Sequence, residues 1–291
     1  MKKILLISTV LCYLFSACDT KTVLKENAFI EKELVLKKVD RLLKKNSYKA
    51  TNNLELPYRL FSPNKQHNKK IPLVVFLHGR GERGIENGER IYRNAGFIMN
   101  KNSLITPQSQ AKYPCYILVP QCSGKTKNEE WAKWIGNSPE TPFKGLGKNG
   151  SYMMNPTPSE SGEATLELIE KVISENSIDP SRIYITGLSM GGFGTWEFIA
   201  RKPDLFAAAI PMAGYSDPNQ TKNIKQIPIW IFHGNKDKWN PVEGSRSMYS
   251  KLTEANADVK YTEYNLGHGD TFKKAFKEPK LIPWMFSKSK K

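Results

Sequence analysis

Residues 187–191 read Gly187-Leu188-Ser189-Met190-Gly191. A β-branched, apolar run from Arg182 to Thr186 comes before them, and Gly192 to Arg201 reads as a helix after them. The pattern predicts a sharp strand-to-helix turn with Ser189 at its apex and its hydroxyl exposed. The flanking glycines allow a tight backbone that a side chain would block. A serine held this way becomes a nucleophile when a base takes its proton and an acid orients that base. Without those partners, the same turn is only a helix cap.

The chain offers four histidines as the base. His67 lies in a polar loop. His78 and His233 each end a strand-like run and precede a glycine, and His268 follows the last such run, in Leu266-Gly267-His268-Gly269. Ligand chemistry on an open parallel sheet gathers at the carboxyl ends of its strands. His268 meets that condition and is therefore the expected base, working in its neutral form. Asp237, in His233-Gly234-Asn235-Lys236-Asp237, lies just past the strand-like Ile229–Phe232 and is the expected acid. Its rivals are Asp217, in a turn before Pro218, and Asp270, too close in sequence to His268 to reach that ring easily. Charge developing on a substrate oxygen calls for two backbone N–H donors. Met190 is expected to supply one. The other is expected from Arg80, or else Gly81, in the turn His78-Gly79-Arg80-Gly81-Glu82-Arg83-Gly84. That turn does not have the spacing of a phosphate-cradling P-loop.

These residues need a frame. Leu73–Leu77 is a continuous apolar run, as in a strand buried on both faces. Tyr116–Pro120, Ala207–Pro211, Ile227–Phe232 and Val259–Tyr264 are further strands, and Tyr48 to Phe61 reads as a hairpin about Asn52-Asn53. Helices are expected at Ser159–Glu175, with Ala164, Leu168, Ile169 and Val172 on its apolar face, at Val242–Ala255, and near Thr271–Lys277. Strands alternating with helices predict an α/β fold with a mostly parallel, doubly wound sheet. Residues 121–157 form a long irregular stretch of the kind that is usually either functional or disordered. Trp131 and Trp134 within it, and Trp239 beside the candidate acid, are candidate substrate-binding aromatics.

Residues 1–17 read as a signal peptide, with Lys2-Lys3 ahead of an apolar segment too short to span a bilayer. The segment ends in Leu14-Phe15-Ser16-Ala17-Cys18, which is similar to the lipobox of bacterial lipoproteins, so Cys18 is the expected lipidation site. The expected location is the cell envelope, as a membrane-anchored lipoprotein, or otherwise the periplasm or exterior. Residues 18–46 are expected to be a tether or amphipathic segment, with Ile30, Leu34, Val39 and Leu43 near one helical face. Residues 47–291 are expected to form one catalytic domain. Cys115 and Cys122 bracket a strand that sets them ~23 Å apart when extended, too far for a disulfide. The net charge is +16, but the basic residues are scattered and no nucleic-acid-binding motif accompanies them. No nucleic-acid partner, metal or organic cofactor is expected. No zinc-type histidine pair or dinucleotide fingerprint is present either.

The segments Phe76-Leu77-His78-Gly79-Arg80-Gly81-Glu82-Arg83-Gly84, Ile183 to Gly192 and Ile231-Phe232-His233-Gly234-Asn235-Lys236-Asp237 resemble secreted bacterial α/β-hydrolases. The resemblance is to the peptidase-like and dienelactone-hydrolase-like serine esterases, a group related to feruloyl and acetyl-xylan esterases, and runs from about Tyr48 to Ser287. It implies the α/β-hydrolase fold, with about eight strands and helices on both faces, and a serine mechanism with the triad order Ser189, Asp237, His268. The expected function is a serine carboxylesterase acting on ester-decorated carbohydrate or another small acyl ester. The alternatives are a prolyl-oligopeptidase-type peptidase, a phospholipase/carboxylesterase, or a catalytically silent binding module on the same fold. The sequence departs from the group after the base, where Gly269-Asp270-Thr271-Phe272 replaces the usual aromatic or Ser-Trp pair.

Overall fold

A computed structural model of the chain describes residues 33–63, 69–100, 103–123, 134–136 and 152–290. The leader 1–17, Cys18, Ile30, His67 and Trp131 lie outside the described residues. Eight strands form one sheet: β1 (Leu43–Lys49), β2 (Glu55–Phe61), β3 (Ile71–Leu77), β4 (Tyr116–Pro120), β5 (Ile178–Leu188), β6 (Ala208–Met212), β7 (Ile229–Gly234) and β8 (Val259–Tyr264). Their order is β1-β2-β4-β3-β5-β6-β7-β8. The hairpin β1–β2 and the pair β2–β4 are antiparallel, and every later pair is parallel. The helices from residue 160 onward that frame the site and the core are α1 (Glu160–Glu175), α2 (Met190–Arg201), α3 (Val242–Glu254), α4 (His268–Ala275) and α5 (Leu281–Phe286).

Strand residues alternate between two cores because successive side chains point to opposite faces. Leu73, Val75 and Leu77 of β3, Ile183 and Ile185 of β5, and Ile229 and Ile231 of β7 pack with α1, α2 and α3. Val74 and Phe76, Tyr184, and Trp230 and Phe232 face the other way, against α4, α5 and the short helices Arg90–Arg93 and Gly96–Met99. This two-faced burial explains the unbroken apolar runs of the central strands. Ser159 caps α1 by accepting the Gly162 N–H at 2.9 Å. Cys115 and Cys122 are both buried, and they are not joined in a disulfide.

Two local readings are corrected. In the helical residues 33–42, Leu36 and Val39 reach the core, whereas Leu34 is 62 % exposed. The buried face is set by 36 and 39, and Leu43 already belongs to β1. The last helical stretch starts at His268 rather than Thr271, and α5 follows it although Pro283 lies within.

Phe76 is fully buried, with ring neighbours Phe97 at 5.7 Å and Phe276 at 6.3 Å. Phe76→Ala is expected to destabilise the protein by about 3–5 kcal/mol. Leu34→Ala, on the exposed side of its helix, should change stability by less than about 0.5 kcal/mol. Urea midpoints of the two variants check both values; equal losses would contradict the assignment of faces.

Candidate active site

The carboxyl ends of β3, β5, β7 and β8 meet at one rim of the sheet. Ser189 follows β5 and caps α2 with φ 55° and ψ −119°. A non-glycine residue there costs about 1–3 kcal/mol in backbone strain. The close approach that imposes it is visible at two glycines. A Cβ on Gly187 would lie 2.2 Å from the Gly191 carbonyl oxygen, and one on Gly191 would lie 2.0 Å from that of Leu77. The Ser189 N–H donates to Met212 O at 2.9 Å, which ties the turn to the end of β6.

His268 begins α4, and its imidazole edge rests against Phe272 at 4.9 Å. Its Nε2 lies 2.8 Å from Ser189 Oγ and its Nδ1 lies 2.6 Å from Asp237 Oδ2. The Nδ1–H therefore donates to the carboxylate, leaving Nε2 to accept the serine proton. Asp237 is fully buried, and its Oδ1 accepts the Trp239 N–H at 2.8 Å and the Asn240 N–H at 3.0 Å. Burial alone would push this carboxyl up. Hydrogen bonds from His233, His268 and the Asn240 N–H outweigh it and hold the group well below the usual carboxylate range. The three side chains named from sequence thus come together in the arrangement of a serine-hydrolase triad.

The rival acids lie elsewhere. Asp217 accepts the Asn219 N–H at 2.9 Å and the Met154 N–H at 3.2 Å, and so ties down two loops. Asp270 is exposed and pairs with Lys273 at 3.0 Å. A cleft of about 650 Å³ opens beside Ser189 and His268, walled by Gly79, Arg80, Gly81, Trp239 and Phe272 among others. Met190 is the first residue of α2, and Arg80 opens a short 3₁₀ turn at the cleft. Among the described residues, no group of three or more His, Cys, Asp or Glu is placed to hold a metal ion.

The tryptophans divide. Trp239 is 79 % exposed on the cleft wall. Trp134 was expected on the same wall but is 0 % exposed; its indole N–H donates to His78 O at 3.0 Å and its ring packs on Phe198. It fills the core under α2, because its one polar atom finds a backbone partner there. Sequence reasoning passed over Asn240, whose amide donates to Ala213 O at 2.6 Å and so braces the acid's loop against β6. It also gave no role to His78. The His78 Nδ1–H donates to Gly79 O at 2.7 Å, and its Nε2 accepts the Cys122 N–H at 3.0 Å. The glycine that follows each of His78 and His233 was the available signal.

Burial lowers the His78 imidazole to about 4. Between about 6.5 and that value the unfolded chain takes up a proton that the folded one refuses. Stability is therefore expected to fall with falling pH across that window, at about 1.4 kcal/mol per pH unit from this group. Urea midpoints measured between pH 7 and 4.5 should show this loss in the wild type and a flatter line in His78→Asn. Parallel lines would contradict the assignment.

The prolyl oligopeptidase family matches residues 161–271, the stretch that holds Ser189, Asp237 and His268. Poly(3-hydroxyalkanoate) depolymerase C of Paucimonas lemoignei is 29% identical over 143 residues, 49% of this chain and 28% of that protein. Acetylxylan esterase A of Emericella nidulans is 27% identical over 163 residues, 50% of this chain and 48% of that protein. The chain therefore spans less than half the length of these two relatives. Among solved structures, a thermostable esterase is 36% identical, with a TM-score of 0.74, covering 87% of this chain and 64% of that one. The hydrogen-bonded serine, histidine and aspartate thus stand on an α/β-hydrolase-like sheet in the arrangement of a serine-hydrolase triad, in a chain that is similar over part of its length to esterases and to a peptidase family.

Proposed function

We propose that the chain is a serine carboxylesterase that hydrolyses small acyl esters, including ester groups on carbohydrate, through an acyl-enzyme. The observation that carries this reading is the hydrogen-bonded line from Asp237 through His268 to Ser189, open to a cleft. Ser189 Oγ attacks the ester carbonyl carbon while its proton passes to His268 Nε2. The carbonyl π pair moves onto oxygen, and Asp237 stabilises the imidazolium. Collapse breaks the bond to the alcohol, which leaves with the proton from His268. Water then attacks the acyl carbon, gives its proton to His268, and displaces Ser189, which recovers that proton.

The oxyanion would be met by the N–H groups of Met190 and Arg80, with Gly81 the alternative to Arg80. The bond from His78 to Gly79 O supports Arg80. In a planar trans peptide the N–H points opposite to the C=O, so the Arg80 N–H is turned away from the buried imidazole. Exposed Trp239 offers a flat face to a sugar or phenolic ring at the mouth of the cleft. The acetylxylan esterase and depolymerase relatives favour an ester as substrate. The prolyl oligopeptidase match favours a second reading, a peptidase.

Ser189→Ala should abolish ester hydrolysis, and Asp237→Asn should lower kcat by roughly a thousandfold or more. Asp217→Asn and Asp270→Asn should lose far less. These variants would be assayed on p-nitrophenyl acyl esters, methyl ferulate, acetylated xylan and aminoacyl amides. Esters turned over faster than amides support the esterase; the reverse order supports the peptidase. An inactive Asp270→Asn beside an active Asp237→Asn would contradict the choice of acid.

We also propose that the protein is held in the cell envelope by lipid on Cys18, since small residues precede that cysteine and a charged stretch follows it. Among the described residues, no helix is long and apolar enough to cross a membrane. Cys18→Ser is expected to move the protein from the membrane fraction to the soluble one. An unchanged distribution would contradict the anchor.

A further inference from the structure

The acid Asp237 faces a second histidine. We propose that His233 is a positioning residue for the reaction, whose Nε2–H holds the Asp237 carboxylate at the angle His268 requires. The inference rests on the reading of Asp237 as the triad acid. His233 is the penultimate residue of β7 and is completely buried. Its Nε2 lies 3.1 Å from Asn240 O and 3.3 Å from Asp237 Oδ2. Both neighbours are acceptors, so Nε2 carries the proton. Its Nδ1 lies 2.7 Å from Ser245 Oγ on α3, a hydroxyl that also donates to Gly214 O at 3.1 Å. The geometry therefore places a proton on Nε2 and holds the ring at both ends.

The consequence falls on one oxygen. Oδ2 of Asp237 takes the Nδ1–H of His268 and shares the Nε2–H of His233. Oδ1 is occupied by the N–H groups of Trp239 and Asn240. The carboxylate cannot rotate without breaking bonds on both sides. His233 also draws charge from Oδ2, and this moderates how strongly Asp237 stabilises the His268 imidazolium. Without that donor, Oδ2 keeps more of its charge and holds the His268 imidazolium more strongly.

Two variants separate this role from simple packing. His233→Gln carries an amide N–H to about the place of Nε2 and abandons Ser245. His233→Asn keeps a polar group near Nδ1 and Ser245 but cannot reach Asp237. The surrounding charged and titratable groups are the same in both: His268, Lys236 and Lys238 about the acid, Tyr215 after β6, Glu243 on α3, and Glu263 on β8 with its partners Arg246 and Tyr261. The difference between the variants therefore isolates the Nε2 donor.

The test is the pH profile of kcat/KM on a p-nitrophenyl ester, with Ser189→Ala as the control. His233→Gln is expected to stay within about threefold of wild type with an unmoved acid limb. His233→Asn is expected to lose roughly tenfold to a hundredfold, with the limb moved up by about half a pH unit or more. Equal behaviour of the two variants would overturn the proposal, as would rescue by Asn and not by Gln. Nitrogen NMR of the labelled wild type serves even where a variant fails to fold: a proton on His233 Nε2 is expected, and a bare Nε2 overturns the proposal. Activity persisting in Ser189→Ala would instead bring down the triad reading itself.

Discussion

Ser189 holds a left-handed backbone only because three strands and a helix leave the chain no other route. β5 ends at Leu188, and α2 begins at Met190. Between them, the Ser189 N–H is bound to Met212 O, and its carbonyl accepts the Phe193 N–H at 3.1 Å. Gly191 sits against the Leu77 carbonyl with no room for a Cβ. The strain of about 1–3 kcal/mol is comparable to the gain from burying one or two large apolar side chains. Here β3, β5 and α2 bury many, on both faces of the sheet. The half-buried hydroxyl at the cleft is thus a product of core packing some distance below it.

The polar side of the site obeys a different constraint. A buried carboxylate costs several kcal/mol unless it is paired and hydrogen-bonded. Asp237 meets that requirement with donors from His268, His233 and the backbone of its own loop. Its lowered proton affinity makes the network stabilising above the unfolded chain's carboxyl range; that contribution is lost as pH falls through the folded value. His78 is the opposite case. It is buried without a charged partner in hydrogen-bond contact, so it stays neutral and serves the turn at Gly79 as a fixed donor.

The features legible in the sequence were those that repeat along the chain or sit beside a glycine. The alternation of Leu73, Val75 and Leu77 with Val74 and Phe76 announced a strand buried on both faces. The turn at Ser189 and the end of β7 were visible because apolar runs stop there at Gly187 and Gly234. Trp134 was misplaced because an aromatic in an irregular stretch carries no period to say which way it points; its burial depends on His78, 56 residues away. Leu34 went wrong for a related reason, since the helix stops at residue 42 and the strand that follows resets the face. The second contact of Asp237 was hidden because only the fold brings the Nε2 of His233 and the acid's loop face to face.

The central claim is that Ser189 is the one serine made nucleophilic by this fold. Reaction of the purified protein with a fluorophosphonate, followed by mass spectrometry of its peptides, tests it directly. The account predicts one adduct, on the peptide containing Ser189, formed in step with loss of ester hydrolysis. An adduct on a different serine, or complete labelling of Ser189 with hydrolysis intact, would contradict it.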